Sequence, residues 1–360
     1  MTPDPFMTES IRVDPQRPDP AAISRAATRL REGGLVAFPT ETVYGLGAHA
    51  LDRAAVRRLF EAKGRPANDP VIVHVDSIDR LAPLVAELPD EARALAQRFW
   101  PGPLTFVLRR SPVVPDEVTA GLDTVAVRMP SHPVAHAILA AAAVPVAAPS
   151  ANLFSRPSPT QAAHVLEDLS GRIDLVVDAG PTMLGIESTV VDLTRDTPTV
   201  LRPGATTLDM LREVVPSAAM AAVAQADGAA APSPGLLPKH YSPRTPLFLY
   251  EGEPGDALQR LVRDTMAAIA DSQSVGIIAA EEDWYALEGL TGPNRSIELR
   301  YLGSEHDLPA IASRLYTAFR ELDSLGVSRI FVRAFPTEEG LGIAIQDRLR
   351  RAAAGRIVWR

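Results

Sequence analysis

Two of the 36 Lys and Arg residues are lysine, Lys63 and Lys239. Lys63 opens Lys63-Gly64-Arg65-Pro66-Ala67-Asn68-Asp69-Pro70, and Lys239 precedes His240-Tyr241-Ser242-Pro243. An ammonium is a compact point charge on a flexible stem, whereas a guanidinium is a planar fork. Two cations beside a glycine suit phosphate oxygens, and they equally satisfy the C-terminus of a helix. The chain has no Gly-x-x-x-x-Gly-Lys-Ser/Thr loop, so a phosphate site here is not of the Walker kind. Three further segments gather polar residues directly after apolar runs, where open α/β sheets keep their ligand sites. Residues 39–47 carry Thr40, Glu41, Thr42 and two glycines; residues 147–152 place Ser150 and Asn152 two apart and lead on to Ser158; residues 178–192 end in Ser188 and Thr189 and are followed by Arg202. Turns of this composition present side chains and backbone N–H groups to an anion. Thr160 is expected to do something plainer and cap a helix. Arg128 closes the otherwise apolar run 125–129, so its guanidinium needs an anionic partner if it is buried. His132 and His136 are four apart, but Ser131-His132-Pro133 reads as a helix start and no third ligand is near, which argues against a metal site.

The elements that must hold these residues alternate in type. Asp19 and Pro20 begin a helix that Gly33-Gly34 stops, and Asp52 caps a second helix ending near Lys63. Residues 90–99, 133–142 and 161–169 read as further helices. Strands are expected at 35–39, 71–75, 104–109, 125–129, 144–148, 175–178, 189–193 and 200–201. Some of these strands follow one another with no helix between them, so the sheet should be mixed. Residues 216–246 run through alanine, glycine and proline with almost no charge and read as a linker, yet one carrying Lys239, His240 and Tyr241, as a flap would. A second, smaller α/β domain of Rossmann-like, doubly wound type is expected over 247–360. Its strands fall at 247–250, 275–280, 297–302 and 330–334, and its helices at 256–270, 308–323 and 341–354. The first domain is set at 20–215 and a flexible tail at 1–19.

Composition sets limits. At 360 residues the length prior is two domains. With no cysteine there are no disulfides, thiol nucleophiles or thiolate metal sites. The net charge of −8 makes the whole molecule a poor polyanion binder, so any polyanion must meet a local cationic patch. The start of the chain has no apolar stretch of signal-peptide type, and the longest apolar run is broken by Pro145. The expected location is cytoplasmic, with no membrane partner. A basic surface gripping RNA without catalysis and an acyl-phosphate or carbamoyl transferase remain alternatives; salt dependence and ATP–pyrophosphate exchange separate them.

Taken in order, with Trp100-Pro101-Gly102-Pro103-Leu104-Thr105 between them, the polar segments resemble L-threonylcarbamoyladenylate synthases, the YrdC-like family, in its long two-domain form. The similarity runs over about residues 20–205 and resumes at Ser233-Pro234-Gly235 and His240-Tyr241-Ser242-Pro243. The family signature Lys-x-Arg…Ser-x-Asn is carried by Lys63, Arg65, Ser150 and Asn152. The resemblance implies an N-terminal mixed sheet twisted around a cationic cavity. It implies synthesis of L-threonylcarbamoyl-AMP and pyrophosphate from L-threonine, bicarbonate or CO2, and ATP, with Mg2+ on the nucleotide phosphates. The product is used for threonylcarbamoyladenosine beside the anticodon of tRNA, through tRNA-modifying proteins and with weak RNA contact. It further implies that Thr42, His74, Arg128, Ala148 and Ser188 hold threonine, Ala148 only through its backbone. Lys63, Arg65, Asp69, Thr124, Ser150, Asn152, Ser158, Arg202 and Tyr241 are implied to hold ATP. Where Asp69 stands an asparagine is usual, and Asn68 is adjacent.

Overall fold

The computed structural model describes residues 7–221, 240–290, 296–335 and 340–359. Residues up to 221, apart from 155–157, form one compact unit; residues 155–157 with those from 240 onward form a second.

The first unit is built on strands β1 (Glu9–Arg12), β2 (Val36–Pro39), β3 (Tyr44–His49), β4 (Ile72–His74), β5 (Leu104–Arg109), β6 (Thr124–Arg128), β7 (Val146–Ala147), β8 (Leu175–Asp178), β9 (Thr189–Asp192), β10 (Thr199–Arg202) and β11 (Ala219–Met220). They lie side by side in the order β1-β8-β2-β3-β7-β4-β6-β5-β9-β10-β11. Parallel pairs such as β4 with β6 alternate with antiparallel ones such as β5 with β6, so the sheet is mixed, as expected. Helices cover it on apolar faces. Helix Pro20–Arg31 turns Ala22, Ile23, Ala26, Ala27 and Leu30 inward, and its start is capped by the Asp19 carboxylate accepting from the N–H groups of Ala21 and Ala22.

Four expectations need correction. The tail expected over 1–19 is a strand at 9–12, because Ile11 and Val13 alternate inward onto the core and β1 pairs in parallel with β8. Of residues 39–47, expected as a glycine-rich turn, 44–47 belong to β3, antiparallel to β2. Helix Ala162–Leu169 is preceded by Gln161 at the cap position rather than Thr160, whose N–H lies 3.3 Å from Nδ1 of His164. Of the expected linker 216–246, residues 219–220 pair as β11 with β10. Residues 222–239, including Ser233, Gly235 and Lys239, lie outside the described residues.

The second unit holds strands β12 (Leu247–Tyr250), β13 (Val275–Ala279), β14 (Ile297–Tyr301), β15 (Arg329–Arg333) and β16 (Ile357–Val358) in the order β14-β13-β15-β12-β16. All four neighbouring pairs are parallel. Parallel neighbours need long crossovers. Helices Pro254–Ala270, Leu308–Ser324 and Leu341–Ala353 lie between successive strands, and each carries the chain past one intervening strand of the sheet; β13 and β14 are the neighbours that also follow one another in the chain. Among the described residues no helix is long and apolar enough to cross a membrane.

Candidate active site

Helix Arg53–Lys63 ends where Gly64 adopts φ 61°, a left-handed conformation that glycine enters without steric cost. The N–H of Arg65 then donates back to the Phe60 carbonyl at 3.0 Å, and this reversal sets Lys63 and Arg65 beside each other. Both are buried. The Lys63 ammonium donates to the carbonyl of Asn152 at 2.6 Å and to that of Ser150. A point charge can sit between two carbonyls of one turn, and Lys63 thereby ties helix Arg53–Lys63 to the segment after β7. Burial, and secondly the Arg65 charge, push its pKa well below the usual lysine range. Arg65 donates to the carbonyls of Asp69 and Pro70 at 3.0 and 2.7 Å and meets the Asp69 carboxylate at 2.9 Å. Burial raises the pKa of Asp69, against the opposing fields of Arg65, Lys63 and Arg202.

The other half of the cluster is set by strand register. His74 at the end of β4 stands opposite Arg128 at the end of β6, and Thr105 on β5 stands opposite Arg128 on its other side. The Thr105 hydroxyl is 2.8 Å from that of Ser188, which accepts from Arg202 at 3.1 Å; Arg202 also donates to the Ser188 carbonyl at 3.0 Å. Arg128 is held on three sides. Its Nε donates to the Gly102 carbonyl at 3.2 Å, one terminal nitrogen donates to the Thr42 hydroxyl at 2.9 Å, and the other lies 2.8 Å from the Glu41 carboxylate. Glu41 is the anionic partner that burial of Arg128 demanded. His74 is buried between these groups, and burial, with the Arg128 charge second, lowers its pKa to about 3, so the ring is neutral at physiological pH. Ser158 donates to the Glu187 carboxylate at 2.5 Å.

Arg128 and Arg202 thus meet through Thr105 and Ser188, while Lys63 and Arg65 gather around Asp69, whose carboxyl also feels the Arg202 charge. The array is not simply cationic: Glu41, Asp69, Asp168 and Glu187 are buried with it. Sequence reasoning left Glu41, Glu187 and Thr105 out of the site. A buried arginine that must be neutralised was the available signal, but its carboxylate lies 87 positions away.

Three expected residues stand differently. The N–H of Ala148 is engaged by the Ile72 carbonyl at 2.9 Å, which leaves its carbonyl as the polar group it can offer. Thr124 begins the strand that Arg128 ends, and four residues of extended chain separate them by about 13 Å. Tyr241 belongs to the second unit, where its ring lies 5.6 Å from that of Tyr316 and 5.3 Å from the Arg348 guanidinium.

Comparison with known proteins gives a consistent result. Residues 28–204 match a family described as Telomere recombination, and residues 206–354 one described as Threonylcarbamoyl-AMP synthase, C-terminal domain. The chain is 45% identical to a threonylcarbamoyl-AMP synthase of Pyrococcus abyssi, over 92% of this chain and 94% of that one. It is 42% identical to a threonylcarbamoyl-AMP synthase of Bacillus subtilis, over 93% and 94%. Among solved structures, P. abyssi Sua5 complexed with L-threonine superposes with a TM-score of 0.89 at 42% identity, covering 98% of this chain and 99% of that one.

Proposed function

Since the chain belongs to the threonylcarbamoyl-AMP synthase family, we propose how its buried array makes L-threonylcarbamoyl-AMP and pyrophosphate from L-threonine, bicarbonate or CO2, and ATP. The observation that supports the reading is the burial of Arg128 and Arg202 on the hydroxyls of Thr42 and Ser188, with Lys63, Arg65 and Arg202 all acting on the buried Asp69 carboxyl. Arg128, already tethered by Gly102 and Thr42, presents a preset fork to the threonine carboxylate. Thr42 and Ser188 read the substrate hydroxyl, neutral His74 lines the pocket without adding charge, and the Ala148 carbonyl faces the amine.

The bound ammonium loses a proton to solvent, the free amine attacks CO2 and sheds a second proton as the carbamate forms, and the carbamate oxygen then bonds to the α-phosphorus of ATP as the bond to departing pyrophosphate breaks in line. Carbamates lose CO2 readily, so positioning and exclusion of water matter more than a strong base. Negative charge grows on the leaving group, and Lys63, Arg65 and Arg202 meet it. Asp69 keeps Arg65 aligned, while Ser150, Asn152 and Ser158 offer donors to the nucleotide. Thr124, at the far end of β6, falls within the length of an extended nucleotide. Tyr241 is assigned to ATP. Mg2+ carried with the nucleotide would offset charge on its phosphates, and Asp69 is the buried carboxylate of the cluster that would face it. The reaction is placed in the cytoplasm, with its product passed to tRNA-modifying proteins.

The test supplies L-threonine, labelled bicarbonate and ATP and looks for a labelled adenylate. Formation by the wild type, with a loss of at least about 100-fold in Arg65→Ala, is the expected result. Equal rates in the two would remove the phosphate role from this cluster.

A further inference from the structure

Glu41 is a carboxylate in an unusual electrostatic position. Its side chain is 3% exposed, and one oxygen lies 2.8 Å from an Arg128 nitrogen whose side chain is 4% exposed. The contact has the distance of an ion pair but not the alignment of a hydrogen bond, and neither oxygen of Glu41 has a hydrogen-bond donor among the described residues. A buried carboxylate that lacks donors is costly, and the cost is relieved by a donor arriving with a ligand. His132 also lies in the field of Glu41, which opposes the larger lowering of its pKa by burial. His74, on the other side of Arg128, is neutral.

We infer that Glu41 reads the α-amino group of the substrate and makes the site selective for a zwitterion. This rests on the reading of Arg128 as the carboxylate anchor. Arg128 and Glu41 together sum to zero charge. A substrate carboxylate arriving alone would leave one uncompensated negative charge beside Glu41 in a region shielded from water. An amino acid brings its own ammonium, two bonds from its carboxylate, and keeps the sum at zero. The ammonium then supplies the N–H donors that the Glu41 oxygens lack. An amino-acid amide, which brings only the positive charge, leaves Arg128 without a second carboxylate. The pair Thr42 and Glu41, adjacent in the turn between β2 and β3, thus divides the work: one reaches Arg128 through a hydroxyl, the other sets the sign of the charge the site accepts.

Calorimetric titration of the full-length chain, with a non-hydrolysable ATP analogue present, tests this with three ligands: L-threonine, its deaminated counterpart 2,3-dihydroxybutanoate of matching configuration, and L-threoninamide. The wild type is expected to prefer threonine over each by at least about 100-fold, because a site built around a buried charged group rejects a ligand that leaves it unpaired. In Glu41→Gln the preference over the deaminated acid should fall below about tenfold, with that acid binding as well as or better than to the wild type. Glu41→Asp keeps the charge with a shorter reach. It should lose about tenfold in threonine affinity while the deaminated acid binds as before. A wild type indifferent to the amino group, a Glu41→Gln that keeps the full preference, or a Glu41→Asp with unchanged threonine affinity each overturns the assignment. Failure of Arg128→Lys to weaken threonine binding would instead strike the reading on which it rests, so the two failures are distinguishable.

Discussion

A neutral, buried histidine makes stability depend on pH in a direction that can be worked out. The folded-state pKa of His74 is about 3, below the ordinary value of 6.5. Between those values the unfolded chain binds more protons, so stability is fully present above pH 6.5 and falls as pH drops toward 3. Moving from pH 7.5 to pH 5 should remove about 2 kcal/mol through this group alone. Chemical denaturation of wild type and His74→Asn at the two pH values checks it. The stability difference between them should shift by that amount, and an unchanged difference would place a charged ring in the fold. Lys63 makes the complementary point about shape. Its ammonium fits between two carbonyls of the turn after β7, and a guanidinium is too broad for that seat. Lys63→Arg keeps the charge but overfills the space, so a loss of about 1–3 kcal/mol in thermal or denaturant unfolding is expected, together with a collapse of threonine-dependent pyrophosphate release.

At the level of elements, the site depends on close backbone approaches. A Cβ on Gly204 would stand 2.4 Å from the Thr189 nitrogen and 2.7 Å from the Glu187 carbonyl oxygen, all of it backbone that cannot swing aside. Gly204→Ala should therefore push the turn carrying Arg202 away from Ser188. A cost of about 2–3 kcal/mol in melting and a raised KM for ATP are expected; an unperturbed variant would mean that the turn is looser than its packing indicates. These elements were unequally legible. Helices Asp90–Phe99 and Pro133–Ala142 follow from apolar spacing with a proline near the start, and β5 and β8 from short apolar runs. Strand β3 did not, because Tyr44–His49 contains two glycines and is buried on both faces, which erases alternation. Strand β1 was hidden by its proline- and aspartate-rich surroundings. Lys63, Arg65, Arg128 and Arg202 could be picked out as scarce or misplaced charges. Glu41 could not, since what singles it out is an arginine three strands away in the sheet.

Across the whole chain, each unit has its own apolar interior. In the first, one cluster centres on Val73, Phe106 and Val127, and in the second one centres on Leu261, Ile277 and Phe331. A fragment ending at residue 221 keeps β11 and should unfold cooperatively in denaturant, with adenylate synthesis reduced at least about tenfold. Part of the loss has a local cause. Segment 155–157 follows Asn152 closely and precedes Ser158, and its carbonyls accept from the Ser242 N–H at 2.8 Å and from Arg320 at 2.5 Å. The cut removes both donors. Full activity in the fragment would show that this segment needs no such support.

The parallel pairing of β1 with β8 also bears on how the protein behaves in solution. Residues 9–12 form the outermost rung of the sheet beside Leu175, Val176 and Val177. Strip that rung, and an apolar strand with a free row of N–H and C=O groups becomes the rim, open to stacking by any extended polypeptide. Four residues at the margin thus act as a guard against aggregation.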